Sequence, residues 1–474
     1  MSPTEFANVV EEKPVSAPAA GGLSSLYAAQ QKIYPRGVIG RYARLRTLAA
    51  WALLGLFYCI PWFTWNARQA VLFDLPARKF YVLGLVMWPQ DFIFLTGLLI
   101  IAALSLFFFT SLAGRLWCGY ACPQTVWTEV FLWMERVVEG DRNERMKLDR
   151  GRWTAFKLSR KLLKQVLWIS FAAWTGFTFV GFFTPIRTLA GELFSASLGP
   201  WETFWIVFYG FATYGNAGYL REQVCKYMCP YARFQSAMFD KDTLIITYDA
   251  ARGEPRGPRR RGVQPAPGTM GACVDCTWCV QVCPTGIDIR KGLQYECIAC
   301  AACVDACDSI MDKMQYPRGL IRYTTEHALN HQPTRILRPR VLMYAGLLGA
   351  LITAFGIALA LREPVALDVI RDRNALYRML DDGRVENVYD LKIMNKTEHP
   401  HRFAVVVRGA GALALDPDPA IFSVRSGEVF PAAIRVRRRA YDPMGSETVF
   451  FEIRAVDEPT LYASSKARFI APAK

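Results

Sequence analysis

All but one of the 13 cysteines in this 474-residue chain fall into short, regularly spaced groups. Two groups share the spacing C-x2-C-x2-C-x3-C. The first run comprises Cys273, Cys276, Cys279 and Cys283, and the second comprises Cys297, Cys300, Cys303 and Cys307. Bacterial ferredoxins use this spacing to ligate [4Fe–4S] clusters, because thiolates two residues apart on a tight turn reach three corners of one cubane. The sequence therefore predicts two [4Fe–4S] clusters.

The fourth cysteine of each run is expected to ligate the cluster of the other run, as in two-cluster ferredoxins. This assigns one cluster to Cys273, Cys276, Cys279 and Cys307, and the other to Cys297, Cys300, Cys303 and Cys283. Zinc sites usually use two C-x2-C pairs rather than evenly stepped triplets. A disulfide framework suits a small secreted domain rather than a chain of this length.

Two C-x3-C-P motifs form a second set of candidate redox residues. The pairs are Cys118 with Cys122, and Cys225 with Cys229. On one helix, thiols four residues apart would have Cβ atoms about 5–6 Å apart, so each pair could chelate a soft metal such as Cu(I) or form a disulfide. Arg115 and Arg221 precede the pairs and are expected to lower the thiol pKa. Whether the pairs converge into one four-thiolate site, or merely fill a helix bundle, stays open.

Five apolar segments of about 20 residues, the length that crosses a bilayer, lie around these motifs. They are residues 45–65, 92–112, 163–183, 201–220 and 341–361. The net charge is +15, and lysine and arginine concentrate in residues 113–162 and 221–340. The positive-inside rule makes these two loops and the N-terminus cytoplasmic and the C-terminus extracytoplasmic. The cluster cysteines then lie in the reducing compartment.

The remaining segments differ in composition from the apolar ones. Residues 1–35 are rich in alanine, proline, glycine and serine and are predicted to form a disordered tail. The C-terminal region contains short alternating runs separated by turn signals, which predict an antiparallel β-sandwich. The runs are Val385–Met394, Phe403–Val407, Ala433–Val436, Thr448–Ile453 and Ala467–Ile470.

The predicted fold is an α-helical transmembrane bundle of five spans with a cytoplasmic two-cluster ferredoxin-like insertion and a C-terminal β-sandwich. Its predicted divisions are the tail 1–35, spans one to four in 36–240, the linker and ferredoxin domain 241–339, span five in 340–362 and the periplasmic domain 363–474. This topology accounts for the basic charge, so contact with membrane lipid is expected and nucleic-acid binding is not.

Five features of the chain together point to one family: the Trp117–Gln124 stretch, the second C-x3-C-P motif, the doubled ferredoxin run, the five spans and the β-domain. In these features the chain resembles the cytochrome c oxidase accessory protein family known as CcoG, FixG or RdxA. The resemblance covers about residues 30–474. It implies a bacterial inner-membrane protein with an immunoglobulin-like C-terminal domain. It also implies reduction of Cu(II) to Cu(I) during assembly of the cbb3-type oxidase.

The same resemblance makes a copper or thiol redox site the expected role of the two thiol pairs. These residues are Cys118, Cys122, Cys225 and Cys229. The expected partners are oxidase assembly factors or a copper chaperone, and the electron donor is unknown. Two alternatives remain at this point. One is a quinone-linked electron-transfer subunit with structural paired cysteines, and the other is a non-redox assembly scaffold.

Overall fold

The computed structural model describes residues 32–66, 68–260, 270–372, 375–409, 412–439 and 445–472. Most of the predicted N-terminal tail, residues 1–31, lies outside the described residues. The last part of the predicted tail is held by contacts with the domain that follows. The Tyr34 hydroxyl donates to Asp149 at 2.6 Å, and Lys32 Nζ lies 2.8 Å from the same carboxylate.

Helices form at the apolar segments and around both C-x3-C-P motifs. They are α1 Arg41–Cys59, α2 Phe92–Ala113, α3 Leu116–Tyr120, α4 Pro123–Glu139, α5 Arg142–Arg150, α6 Ala155–Val180, α7 Ile186–Phe194, α8 Pro200–Thr213, α9 Pro230–Ala237, α10 Ala250–Gly253, α11 Trp278–Gln281, α12 Ala302–Met314, α13 Glu326–Leu329 and α14 Pro339–Ala360. Two π-helical segments, Tyr214–Leu220 and Val224–Met228, separate α8 from α9. The chain around the second motif is therefore wound less tightly than an α-helix.

Within the described residues, three helices are long and apolar enough to cross a membrane: Arg41–Trp62, Phe92–Ala113 and Pro339–Ala360. The prediction of five such helices exceeds this number by two. The third predicted span is a helix, α6, but Lys157, Arg160, Lys161 and Lys164 occupy its first turns. The fourth is α-helical for only 14 residues before the π-helix begins. Length and composition thus support three spans.

The long helices pack in pairs at positions occupied by small residues. A Cβ atom at Gly176 of α6 would lie 2.3 Å from the carbonyl oxygen of Ile206 on α8. This contact requires glycine, as is common where helices approach closely. The second pair is α2 with α14, where Phe94 and Phe355 meet edge-on with ring centroids 5.9 Å apart.

A small β-module follows α1, between the first and second apolar segments. Its strands are β1 Thr64–Trp65, β2 Arg68–Gln69, β3 Val71–Asp74, β4 Lys79–Val82 and β5 Leu85–Met87. The module contacts the C-terminal domain, because Arg68 pairs with Glu398 at 3.2 Å. Next to it, Arg362 pairs with Asp91 at 2.6 Å. These ion pairs place the module and the C-terminal domain at the same end of the helices.

The segment that contains the ferredoxin runs is closed by a two-stranded sheet, β6 Ile245–Tyr248 with β7 Ile321–Thr324. The C-terminal domain is built from two antiparallel sheets, with strand orders β12-β14-β10-β8 and β13-β11-β15-β16; β9 also pairs with β10. Its strands are β8 Val365–Arg371, β9 Arg378–Met379, β10 Arg384–Asn395, β11 His401–Arg408, β12 Ala414–Asp416, β13 Ile421–Val424, β14 Val429–Arg439, β15 Ser446–Ala455 and β16 Tyr462–Ile470.

The alternation of apolar and polar residues explains the β-sandwich. In β15, Val449, Phe451 and Ile453 are buried, and polar or exposed residues stand between them. All five predicted strands are confirmed. Four others were missed, because β9, β12 and β13 have at most four residues and β8 directly follows the apolar helix α14.

Candidate functional site

The eight cysteines of the ferredoxin runs line two small neighbouring cavities. The first cavity is lined by Cys273, Cys276, Cys279 and Cys307. The second is lined by Cys283, Cys297, Cys300 and Cys303, and Cys279 also reaches it. Each cavity thus brings together the first three cysteines of one run and the last cysteine of the other. This is the partition expected from the spacing.

Four left-handed residues bend the backbone around the two cavities. Asp275 and Thr277 flank Cys276 with φ of 52° and 59°, and Ala299 and Ala301 flank Cys300 with φ of 54° and 58°. None of the four is glycine, so each position costs about 1–2 kcal/mol. The same costly conformation occurs twice because each turn has to aim three thiols at one point. The sequence repeat is therefore also a repeat of backbone geometry.

The last cysteine of each run lines the cavity of the other run, because a helix that follows each turn carries the chain from one cavity to the other. On α12, Cys303 and Cys307 are one helical turn apart. The thiol of Cys303 faces the second cavity, and that of Cys307 faces the first. The helix therefore passes between the two cavities.

The chemistry of the donor set fits iron–sulfur clusters. Burial raises the pKa of the Cys279, Cys297 and Cys307 thiols to about 12. The free thiols are therefore protonated at neutral pH, and iron has to displace their protons on binding. Among the described residues, no group of three or more His, Cys, Asp or Glu side chains could hold a single metal ion. Thiols around an iron–sulfur cluster are not expected to meet this single-ion criterion, because they ligate different iron atoms.

The paired thiols do not lie on one helical face, so the Cβ spacing of about 5–6 Å that holds within a single helix does not apply to them. Cys118 belongs to α3, whereas Cys122 has φ −62° and ψ 127° and precedes α4. Cys225 is π-helical, and Cys229, with φ −81° and ψ 108°, precedes α9. The physical reason is that a proline begins each following helix, and the residue before a proline is pushed into an extended conformation.

The two pairs nevertheless lie close enough to interact electrostatically, because Cys122, Cys225 and Cys229 all act on Cys118. All four thiols are half-exposed. Burial raises the pKa of Cys118 to about 12, and the neighbouring Cys122 adds to this effect. Burial also raises the pKa of Cys225, to about 11. Arg115 opposes both shifts but does not outweigh burial. Arg115 therefore lowers these pKa values as predicted, but burial outweighs it and the net shift of each pKa is upward.

Comparisons with known proteins match three parts of the chain to family models. Residues 95–139 match a family model described as "4Fe-4S binding domain" and residues 220–326 match a "4Fe-4S dicluster domain". Residues 355–472 match the "IG-like fold at C-terminal of FixG". Protein RdxB of Cereibacter sphaeroides is 40% identical, over 92% of this chain and 93% of its own length. The chain belongs to the FixG/RdxA family.

Other FixG/RdxA proteins show similar identity. Nitrogen fixation protein FixG of Rhizobium meliloti is 38% identical, and 82% of each chain is covered. Protein RdxA of Cereibacter sphaeroides is 42% identical, over 82% of this chain and 84% of its own length. A crystal structure of a FixG-related protein from Vibrio parahaemolyticus covers 23% of this chain and 98% of its own, with 26% identity and a TM-score of 0.21. The predicted family is thus confirmed, and the chain carries [4Fe–4S] domains and an immunoglobulin-like domain.

In this FixG/RdxA chain, Arg115 lies between the second cavity and the paired thiols. Its side chain is 4% exposed, and its guanidinium donates to the carbonyl oxygen of Cys297 at 3.4 Å. It also donates to the carbonyl oxygens of Tyr295 and Ala232. The electrostatic neighbours of Arg115 include Cys118, Cys225 and Cys229. One buried cation thus acts on both sets of cysteines.

Replacing Arg115 with methionine is expected to lower the midpoint potential of the second cluster by an amount on the order of tens of millivolts. A nearby positive charge favours the more negative, reduced form of a cluster, and its removal reverses that effect. A redox titration followed by electron paramagnetic resonance measures the change. Arg115→Lys keeps the positive charge, so the midpoint potential of the second cluster should stay close to that of the unchanged protein. The first cluster serves as internal control. Equal shifts of both clusters would contradict the assignment.

Asp305 attaches the ferredoxin segment to the first apolar helix. No local sequence pattern predicts this contact. The Asp305 carboxylate accepts hydrogen bonds from the backbone N–H groups of Tyr42 at 3.2 Å and Ala43 at 2.7 Å. It thus caps α1, whose N-terminus favours negative charge. Asp305 stands between Cys303 and Cys307 in the sequence. The cap therefore fixes the position of both cavities relative to α1.

Proposed function

We propose that this FixG/RdxA chain is a membrane-bound iron–sulfur oxidoreductase that reduces Cu(II) to Cu(I) for assembly of cbb3-type cytochrome c oxidase. The proposed cluster ligands are the cysteines that line the two cavities. When bound, the two [4Fe–4S] clusters supply single electrons. The observation that carries the proposal is that one cavity wall includes both Cys225 of a thiol pair and Cys300 of the second cluster set.

The paired thiols are the proposed copper-holding groups. Soft thiolates stabilise Cu(I) over Cu(II), so binding at such a pair favours the reduced ion. The four thiols are half-exposed, which allows copper to enter and leave. Among the described residues, no three of these thiols are placed to hold one metal ion. We therefore assign copper to two thiols at a time. The sulfur atoms thus hold copper transiently.

We further propose an inner-membrane topology with the clusters in the cytoplasm and the immunoglobulin-like domain in the periplasm. Three spans leave the N-terminal segment and the C-terminal domain on opposite sides of the membrane, as five would, so the sidedness is the same for either number of spans. The ion pair between Arg68 and Glu398 supports it, since it holds the 66–91 loop and the C-terminal domain at one end. Basic residues 221–340 then face the cytoplasm.

The proposed partners follow from this topology. A copper chaperone or an oxidase assembly factor would receive Cu(I), and an electron donor of unknown identity would reduce the clusters. Lipid contacts the apolar helices, and no nucleic acid is expected to bind. These partners are expectations that the FixG/RdxA family suggests.

Replacing Cys118 and Cys122 together with alanine is expected to abolish copper reduction, because the soft ligands for Cu(I) are lost. The absorbance of the clusters should remain, since neither residue lines the cluster cavities. The measurement is Cu(I) formation by the reduced, detergent-solubilised protein. Cys59→Ala is the matched control, because this exposed cysteine belongs to neither set. Undiminished copper reduction in the double variant would refute the proposed role of the pair.

A second candidate is a quinone-linked electron-transfer subunit, favoured by an open groove beside Cys229. Tyr227, Met228 and Phe234 line this groove together with Arg233. An aromatic groove with one cation suits a quinone ring, which is flat and carries carbonyl acceptors. Reduction of the clusters by a quinol in the absence of copper would favour this function. Failure of the quinol to reduce them, with copper reduction intact, would favour the first.

A further inference from the structure

The cavity that joins Cys225 and Cys300 has a volume of about 160 Å³. Five separate parts of the chain form its walls: the segment before and at the start of α1, one side of α4, residues 221–225, the end of the first ferredoxin run and the second ferredoxin run. One water molecule needs about 10–15 Å³ of such volume, so the cavity holds on the order of ten to fifteen water-sized groups. The cavity is therefore large enough for a small organic molecule beside both sets of cysteines.

The charged residues in the cavity walls are mainly cationic. Arg36, Arg46, Arg136 and Arg221 face it, against two carboxylates, Glu129 and Glu222. Some of these arginines pair with a carboxylate in the wall, and others bond to neutral groups. Arg136 lies 3.2 Å from Glu129, whereas the guanidinium of Arg46 donates to the carbonyl oxygen of Cys300. A bare divalent cation is repelled by such walls, and an anion is attracted.

The structure behind Arg221 strengthens this positive field. Arg221 pairs with the fully buried Glu135 at 2.9 Å. Arg145 reaches the same carboxylate at 3.2 Å. Lys164 and Lys32 lie 3.9 Å from it, but Lys164 is closer to Glu139, at 2.9 Å, and Lys32 is closer to Asp149, at 2.8 Å. Two arginines thus share the carboxylate of Glu135. Guanidinium groups are the residues best suited to bind carboxylates, because their donors match both oxygens.

We propose that this cavity binds a small polycarboxylate, and that Cu(II) enters it as an anionic carboxylate chelate rather than as the hydrated cation. The second part rests on the proposed copper reduction, whereas the first does not. Oxygen ligands of the chelate suit Cu(II), and the thiol of Cys225 on the wall suits Cu(I). Reduction of Cu(II) by one electron from a reduced cluster would therefore move copper from the carboxylate oxygens to the thiol sulfurs. The thiol protons would pass to the released polycarboxylate or to water.

Binding of metal-free citrate to the full-length, cluster-loaded protein tests the site. Isothermal titration calorimetry should show binding that weakens with added salt. Arg36→Gln and Arg136→Gln should each weaken it about tenfold, the effect of one charge-assisted hydrogen bond. Both side chains are about one-third exposed, and Arg36→Lys and Arg136→Lys should restore part of the affinity. Arg318→Gln is the control, because Arg318 is exposed and pairs with Asp312 elsewhere.

The outcomes separate this site from the proposed function. Absence of citrate binding, or equal binding by all the glutamine variants, would overturn the site, even if hydrated Cu(II) were reduced. Faster reduction of Cu(II)–citrate than of hydrated Cu(II), lost in Arg136→Gln, would support the chelate as substrate. Equal rates for both forms would overturn the chelate and leave copper reduction standing. Citrate binding without reduction of either form would support the site and overturn the proposed function.

Discussion

Replacing Cys283 with alanine is expected to remove the cluster of the second run, although Cys283 belongs to the first run in sequence. Its thiol lies on the cavity of Cys297, Cys300 and Cys303. A cluster that loses one of four thiolates is expected to be lost or strongly destabilised. Iron should fall from about eight to about four atoms per chain. The measurement is iron and acid-labile sulfide per chain, together with the cluster spectrum.

Double variants identify which cluster is lost. Cys283→Ala combined with Cys300→Ala should lose no more iron than Cys283→Ala alone, because both residues line one cavity. Cys283→Ala combined with Cys276→Ala should lose both clusters, since Cys276 lines the other cavity. The reverse pattern would show that each run ligates its own cluster. Cys307→Ala provides the matched variant for the first cavity.

Replacing Glu135 with alanine is expected to destabilise the protein by about 3–5 kcal/mol, the cost of leaving buried charges without their partner. Glu135 is fully buried and meets Arg145, Arg221, Lys164 and Lys32. Burial by itself would raise the pKa of Glu135, but Arg221 and Arg145 outweigh burial, and the pKa is lowered. Thermal or denaturant unfolding in detergent measures the loss.

The control for this variant is an exposed ion pair. Glu326 and Lys241 lie 3.6 Å apart, and both side chains are 43% exposed, so Glu326→Ala should cost at most about 1 kcal/mol. The contribution of Glu135 should also depend on pH in a defined direction. Because its pKa is lower in the folded chain, the stabilisation is present above the ordinary glutamate pKa and is lost as the pH falls through the folded value. Equal stability of the two variants would contradict the role assigned to the network.

Local patterns predicted much of the fold, and the errors have physical causes. The β-strands of the C-terminal domain follow from alternation, and the apolar helices follow from hydropathy. The β-module at residues 64–87 was missed, because its strands have at most four residues. On a single helix each C-x3-C pair would have a Cβ spacing of about 5–6 Å, but Pro123 and Pro230 begin new helices. The neighbouring prolines instead force each preceding cysteine into an extended conformation.

The buried charges show a different limit. Phe131, Leu132, Glu135, Val138 and Glu139 are the buried residues of the second half of α4. A carboxylate on the apolar face of an amphipathic helix indicates a buried ion pair. The sequence does not indicate the partner, because Arg221 is 86 residues away. The same holds for Asp305 and the N-terminus of α1, which are more than 260 residues apart.

The sequence by itself determined which cysteines are grouped and how they partition between two cavities, because ligand spacing is a local property that short turns translate directly into geometry. Only the tertiary structure decided that the two thiol pairs lie within electrostatic reach of each other, that Cys225 and Cys300 line one cavity, and that arginines surround it. These facts depend on how helices and loops far apart in the chain pack against each other. No local period or spacing encodes such contacts, because they are set by the total burial and charge pairing of the fold.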